Sequence, residues 1–225
     1  MNLLPDVEGW LTEAQAARLD RCARAVPAGG RMVEIGSFRG RSTIVLARAA
    51  PDGAEVVAVD PHLGSDRGPQ EIAARPELGE QDTQIFRANL ERHGVLERVT
   101  HLRMLSSEAP LPDTIDLLYV DGAHRFGPAR EDLVRWGERV RDGGTMLVHD
   151  SFSSIGVTLA LLTAIAPARR WRYAGRSGSL AEYVADGRGG PASALTQVAQ
   201  LPWFAYNMAL KALTILRIRR GPWPF

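Results

Sequence analysis

The sequence predicts an α/β fold, namely a doubly wound, mostly parallel sheet of seven strands with an antiparallel hairpin at one edge. The first observation is that short apolar runs alternate along the chain with segments of helical spacing, an order typical of a parallel sheet covered by helices. The second is that the last two strand-like runs are joined by a short turn, residues 176–178, which favours an antiparallel pair. We expect right-handed crossovers between the parallel strands.

Five apolar runs predict the parallel strands. The middle of the second run is continuously apolar, as expected for a parallel strand covered on both faces. These runs are residues 32–35, 55–60, 99–105, 115–120 and 145–149. Residues 142–144, Asp-Gly-Gly, predict a turn just before the fifth run. The hairpin that completes the sheet covers residues 171–184.

Helices are predicted where apolar residues recur at helical spacing. Residues 12–15, Thr-Glu-Ala-Gln, form a capping box that opens the first helix, and residues 27–30 end it. The other predicted helices are residues 42–50, 83–93, 127–140, 153–166 and 203–220. Residues 61–81 predict a loop longer than the usual strand–helix connection of about 2–6 residues. A lid over the ligand edge and a solvated insertion both stay open as interpretations of this loop.

Composition narrows the possible functions. The 225 residues have a formal net charge of +1 and 45% hydrophobic residues, which is ordinary globular composition and argues against a nucleic-acid partner. Cys22 is the only cysteine, so an intrachain disulfide and a Cys-rich zinc site are excluded and a cytoplasmic location is expected. Residues 1–10 contain acids and lack an apolar core, so we expect no signal peptide.

The most informative stretch is the glycine turn after the first strand, residues 33–43, Val-Glu-Ile-Gly-Ser-Phe-Arg-Gly-Arg-Ser-Thr. Gly36 permits a tight turn, and Gly40 permits close backbone approach before the helix. A phosphate-binding loop is disfavoured because the glycines are too close and Arg41 replaces the lysine. A nicotinamide dinucleotide fingerprint is disfavoured because Phe38 occupies the second glycine position.

The pattern that remains is E-x-G-x-x-x-G, starting at Glu34, with Asp60 ending the next strand. Here the sequence resembles the class I S-adenosylmethionine-dependent methyltransferases, which have a Rossmann-like sheet. The resemblance implies that the turn faces the amino-acid end of the cofactor and that Asp60 accepts hydrogen bonds from both ribose hydroxyls. It implies the cofactor-binding residues Glu34, Gly36, Ser37, Gly40, Ser42, Asp60, Ser106, Ser107 and Asp121. A purely structural strand–turn–helix is the alternative.

Two further acids end neighbouring strands. Asp121 begins the sequence Asp-Gly-Ala-His, which places His124 three residues later, and Asp150 follows the fifth strand in His-Asp-Ser. Because neighbouring strand ends lie ~5 Å apart, both carboxylates should meet at one edge of the sheet. Two close carboxylates favour a hard cation such as Mg²⁺, which lowers the pKa of a bound hydroxyl.

These motifs together resemble a narrower group, the macrolide and cephalosporin-type small-molecule O-methyltransferases, over residues 11–154. The resemblance implies that Asp121 and Asp150 bind Mg²⁺ and that Asp121 and His124 are catalytic, with His124 as the base. His149 departs from the pattern, because the metal-dependent members have Glu there and imidazole is a poorer Mg²⁺ ligand. A metal-free reaction with His124 or Asp150 as the base therefore stays open.

The implied function is transfer of a methyl group from S-adenosylmethionine to a hydroxyl of a small molecule such as a sugar, a polyketide or another natural product. His62, Asp66, Arg67 and Asp82 are candidate contacts to this acceptor. An N-methyl or phenolic acceptor is one alternative. A catalytically inactive cofactor-binding or scaffold protein, acting through its C-terminal helix, is the other.

Residues 187–225 are predicted to be a basic, apolar extension of a catalytic domain at residues 1–186. The extension contains no Asp or Glu, and its basic residues are Arg188, Lys211, Arg217, Arg219 and Arg220. Because its helix, residues 203–220, is apolar nearly all round, it needs a partner surface. The candidates are its own domain, a second copy in a homo-oligomer, or an anionic membrane, which would make the protein membrane-peripheral. A helix that covers the acceptor site is a further alternative.

Overall fold

The computed structural model describes residues 3–65 and 73–216. The strands are β1 (Arg31–Ile35), β2 (Glu55–Val59), β3 (Val99–Leu102), β4 (Ile115–Val120), β5 (Val140–Val148), β6 (Trp171–Ser177) and β7 (Leu180–Ala185). They form one sheet in the order β3-β2-β1-β4-β5-β7-β6. Strands β1 to β5 pair in parallel, and β7 runs antiparallel to β5 and β6. This confirms the predicted fold class.

The helices are α1 (Glu13–Arg24), α2 (Arg41–Ala49), α3 (Pro76–Arg92), α4 (Phe126–Arg135), α5 (Ile155–Ala160), α6 (Pro191–Val198) and α7 (Leu201–Ile215). Alternate residues of β4 belong to two separate cores. Leu117 and Tyr119 pack in the core that includes α1, α2 and α3, while Leu118 and Val120 pack with α4 and α5. Burial on both faces explains why β4 has apolar residues on both of its faces.

The start of α1 is as predicted. The backbone N–H of Thr12 donates to the Gln15 side chain at 2.8 Å, and the Thr12 hydroxyl accepts from the N–H of Gln15, which completes the capping box.

The predicted long loop is partly helical, because α3 begins at Pro76 rather than at residue 83. Proline suits the first turn of a helix, where its missing N–H has no intrahelical partner. Gly79 is needed because a Cβ there would overlap the carbonyl oxygen of His62. In the sequence both residues suggest a loop, but in the structure both lie at the start of α3. Asp66 and Arg67 lie outside the described residues.

Two strand boundaries also differ from the prediction. Strand β5 begins at Val140, because residues 142–144 form an irregularity inside the strand rather than a turn before it. Gly143 adopts a φ of +77° there, which glycine tolerates. Strand β3 ends at Leu102, and the N–H of Met104 donates back to the Leu102 carbonyl at 2.9 Å, so the chain turns early.

The C-terminal extension contains α6, which was not predicted, and α7, which begins at Leu201. The described part packs on the hairpin edge of the sheet. The Arg176 guanidinium lies 3.8 Å from the Trp203 ring centroid, and the Tyr183 hydroxyl donates to Gln197 at 3.2 Å. The predicted end of the helix, with Arg217, Arg219 and Arg220, lies outside the described residues. Within residues 3–65 and 73–216, no helix combines the length and apolarity needed to cross a bilayer.

Candidate active site

The glycine turn packs directly on the turn that follows β4. Gly36 has a φ of +83°, and a Cβ there would overlap the carbonyl oxygen of Asp121. The N–H of Asp121 donates to the Ile35 carbonyl at 2.8 Å, which joins the ends of β1 and β4. Only glycine fits this position, and the close approach places Asp121 beside the turn.

Asp60 holds the turn in shape. Its Oδ2 accepts from the N–H groups of Ser37 and Phe38, each at 2.8 Å, and its Oδ1 accepts from the N–H of His62 at 2.7 Å. A carboxylate offers about four acceptor positions. In this conformation Asp60 therefore has room for one further donor, which is fewer than the two ribose hydroxyls expected from the sequence.

Glu34 lies beneath the turn, fully buried, and accepts hydrogen bonds from the hydroxyls of Ser42 and Thr43 on α2. Burial raises the pKa of the Glu34 carboxyl to about 8. The predicted cofactor residues Glu34 and Ser42 thus bond to each other, and a direct ligand contact requires that pair to open. In this conformation the pair joins β1 to α2 below the binding edge.

Ser37 is buried, and its hydroxyl oxygen is without a partner among the residues that the structure describes. A buried polar atom without a partner costs free energy unless a ligand or water supplies the bond. Gly40, with a φ of +89°, begins α2 on the other side of the turn. The turn therefore presents a buried hydroxyl without a partner in the described part of the chain, while a Cβ at Gly40 would lie 3.2 Å from the Phe86 ring.

Ser106 and Ser107, which follow β3, lie in different surroundings. The Ser106 hydroxyl donates to Asp132 of α4 at 2.5 Å, and burial raises the pKa of Asp132 to about 6. Ser107 is exposed. The contact between Ser106 and α4 is local and does not test the predicted adenine contacts, which stay a prediction.

Four side chains meet at the ends of β4 and β5. His124 Nε2 lies 2.9 Å from Asp150 Oδ2. His149 Nδ1 lies 3.1 Å from Asp121 Oδ1 and 3.9 Å from Asp150 Oδ1. The structure thus brings together the three residues singled out for chemistry and adds His149 between the two acids.

The acids control the protonation of both histidines. Burial by itself lowers the pKa of His149, but the nearby Asp121 carboxylate outweighs it and raises this pKa to about 9. Burial also opposes the charge on His124, yet its contact with Asp150 raises the pKa of the imidazole. Burial works against the Asp150 charge as well, but His124 and His149 hold its pKa well below the usual range. His149 is therefore cationic at neutral pH and Asp150 is anionic.

The donor set does not fit Mg²⁺. Each of the four carboxylate oxygens already faces a protein group, since the Tyr119 hydroxyl donates to Asp121 Oδ2 at 2.9 Å and the Ser153 hydroxyl donates to Asp150 Oδ1 at 2.8 Å. Within the described ranges, no group of three or more His, Cys, Asp or Glu side chains is arranged to hold a metal ion. The predicted ligands Asp121 and Asp150 therefore do not form a magnesium site in this arrangement, because His149 takes the space between them.

Sequence reasoning missed three residues at this edge. Tyr119 and Ser153 orient the two acids, and Lys211 of α7 donates from Nζ to the Ser153 carbonyl at 2.5 Å. Lys211 is the only lysine and stands in an acid-free segment, which was the available signal. Of the candidate acceptor contacts, His62 is buried beside Asp60, and Asp82 is buried with its Oδ1 3.0 Å from Arg39.

Comparison with known proteins finds a methyltransferase family model and O-methyltransferase structures that resemble this chain. A family model described as a methyltransferase domain matches residues 33–151. The O-methyltransferase TomG from Streptomyces achromogenes, involved in tomaymycin synthesis and solved with SAM, has 20% identity and a TM-score of 0.57, covering 81% of this chain and 83% of TomG. The O-methyltransferase NovP has 21% identity and a TM-score of 0.57, covering 79% and 83%. An O-methyltransferase from Bacillus cereus, solved with SAH, has 19% identity and a TM-score of 0.54, covering 80% and 84%. These structures share the fold.

Proposed function

Because this chain belongs to the methyltransferase domain family, we propose that it transfers a methyl group from S-adenosylmethionine to a hydroxyl of a small molecule. The observation that carries the proposal is the approach of the glycine turn to Asp121, with His124 and Asp150 in the same cluster. A donor bound at the turn then lies next to groups that can accept a proton from the acceptor. The fold neighbours solved with SAM and SAH support this choice of cofactor.

Gly36, Ser37 and Asp60 are the residues we propose to hold the cofactor. The Ser37 hydroxyl, which has no partner among residues 3–65 and 73–216, can bond to the polar amino-acid end, and Asp60 has one acceptor position for a ribose hydroxyl. The other cofactor-binding residues predicted from the sequence are proposed to shape the turn or to line the far side of the pocket. They are Glu34, Gly40, Ser42, Ser106 and Ser107. When bound, S-adenosylmethionine supplies an electrophilic methyl carbon.

His124 is proposed as the general base. The Asp150 carboxylate, 2.9 Å from Nε2, orients the imidazole and stabilises the imidazolium that forms when the acceptor hydroxyl gives up its proton. Asp121, fixed by Tyr119 and His149, faces the same edge and is proposed to orient the acceptor. No step in this mechanism is assigned to a metal ion.

The proposed acceptor class is supported by the neighbours and not by the pocket. TomG takes part in tomaymycin synthesis, which supports a natural-product hydroxyl. An N-methyl or phenolic acceptor remains the alternative within the same chemistry. A scaffold protein without catalysis would still bind the cofactor, and replacing His124 would not change its function.

The C-terminal extension is proposed to contact a second copy or a lipid surface from the cytoplasm. Support comes from its exposed apolar side chains, which include Leu195, Val198, Tyr206, Ile215 and Leu216, and from the absence of acids in residues 187–225. The division of the chain at residue 186 stays a prediction, since α6 and α7 pack against β6 and β7 in the part described.

The proposal is tested by a transfer assay with labelled S-adenosylmethionine and a panel of small hydroxyl acceptors. With an acceptor found, His124→Gln should lower kcat by about 10²–10⁴-fold, the usual contribution of a general base, while leaving S-adenosylmethionine affinity near wild type. His93→Gln is the matched control and should keep full activity, because His93 ends α3 and its Nδ1 contacts Arg48 of α2 at 2.7 Å, not the residues of the candidate site. Full activity of His124→Gln would remove the assigned base.

A further inference from the structure

Two carboxylates held close together in a partly buried site need a positive partner. Asp121 and Asp150 follow neighbouring strands, and their side chains are 28% and 21% exposed, so water screens them only in part. Like charges at short range in such surroundings repel unless a cation lies between them. The cation can be a metal ion or a side chain, and the surrounding residues show which.

The His149 imidazole takes the space that a bridging cation would need. Its Nδ1 lies 3.1 Å from Asp121 Oδ1 and 3.9 Å from Asp150 Oδ1. The ring is buried at the end of β5, and the cavity beside it is lined on the helix side by Ala129, Leu133 and Val157. These three side chains carry no hydrogen-bond acceptor, whereas Nδ1 of the ring faces the two acids.

The other groups around the acids complete the same arrangement. His124 Nε2 faces Asp150 Oδ2. The Tyr119 hydroxyl donates to Asp121 Oδ2, and the Ser153 hydroxyl donates to Asp150 Oδ1. Lys211 lies nearby and donates to the Ser153 carbonyl at 2.5 Å. The site is therefore supplied with positive charge and hydrogen-bond donors by the chain itself.

We propose that His149 is a positioning residue that takes the place of a divalent cation between Asp121 and Asp150, so that the site works without a metal. Its Nδ1, 3.1 Å from Asp121 Oδ1 and 3.9 Å from Asp150 Oδ1, holds Asp121 beside the glycine turn and keeps the two acids in place near each other. This inference rests on the proposed function for its catalytic meaning, but the claim about the cation position can be tested without turnover.

The test is Mg²⁺ binding by His149→Glu, with His149→Gln as the matched control. A glutamate adds oxygen ligands where the imidazole stood, so three carboxylates could then surround a hard cation. We expect millimolar Mg²⁺ to raise the Tm of His149→Glu by roughly 5 °C or more, through binding to the folded state alone. Wild type and His149→Gln should show no such shift, and a purely structural role of His149 would not produce this difference.

Circular dichroism and S-adenosylmethionine titration of each variant establish that it is folded before Mg²⁺ is added. A folded His149→Glu protein that does not bind Mg²⁺ would overturn the proposal, and so would saturable Mg²⁺ binding by the wild type. Wild-type turnover that is unchanged in chelator supports it, and turnover abolished by chelator contradicts it. Failure of the wild type to bind S-adenosylmethionine would instead contradict the proposed function. The Mg²⁺ measurement would still test the role of His149.

Discussion

The carboxylates at the ends of β1 and β2 and those at the ends of β4 and β5 are the same chemical group in two different settings. Glu34 and Asp60 are buried and bonded to hydroxyls and backbone N–H groups, none of which titrates near neutral pH. Asp121 and Asp150 are partly exposed and paired with two histidines. The first pair shapes the binding edge, while the second is equipped to move a proton.

The largest expected effect is at Gly36, where the two regions touch. In Gly36→Ala the new methyl group would overlap the backbone of Asp121, and the positive φ adds strain, so we expect a loss of more than about 4 kcal/mol in unfolding free energy. Urea unfolding measures this. Gly127→Ala is the matched control, because a Cβ there meets nothing within 4 Å, and it should be neutral or slightly stabilising. Equal stability of the two variants would show that the turns do not pack as described.

The next effect separates the chemical role of the second pair from the binding role of the first. Asp150→Asn removes the charge that stabilises the His124 imidazolium, so kcat should fall by about 10²-fold or more while the Kd of S-adenosylmethionine changes little. Steady-state kinetics and calorimetry on the same preparation check both quantities. A weakened Kd with kcat preserved would assign Asp150 to binding instead.

A pH titration of stability distinguishes the buried acid from an ordinary one. The pKa of Glu34 is about 8 in the folded protein against an ordinary value of 4.5, so the unfolded state binds fewer protons between these values. Stability should therefore fall as pH rises from 4.5 to about 8, and Glu34→Gln should lack this loss. Urea unfolding at pH 5 and pH 8 gives the difference between the two proteins. Glu55→Gln, an exposed acid on β2, serves as the control; a Glu34→Gln difference independent of pH would refute the assignment.

The smallest effect is expected at Tyr119. Tyr119→Phe removes one hydrogen bond of 2.9 Å to Asp121 and leaves His149 in place, so kcat should fall by a few fold and stability by about 1 kcal/mol. Kinetics and thermal unfolding measure the two changes. A loss as large as that of Asp150→Asn would mean that the hydroxyl takes part in the chemistry.

The fold and the chemically interesting residues could be predicted from the sequence because their signals are local. Apolar runs mark the strands, and an acid directly after a strand is placed by the parallel topology at the binding edge. The start of α3 could not be predicted, because proline and glycine occur both in loops and at the start of helices. Only the contact of Gly79 with the His62 carbonyl shows that these residues belong to a helix. The contacts of His149 with Asp121 and of Lys211 with Ser153 join distant segments, and no local pattern encodes them.

The proposed function is tested most directly by isothermal titration of the purified chain with S-adenosylmethionine, alongside Asp60→Asn. The wild type should bind one equivalent with a micromolar Kd, and Asp60→Asn should bind more than tenfold more weakly, since it loses the charge that holds the turn and one ribose contact. Absence of heat together with absence of thermal stabilisation in the wild type would contradict the methyl-transfer proposal.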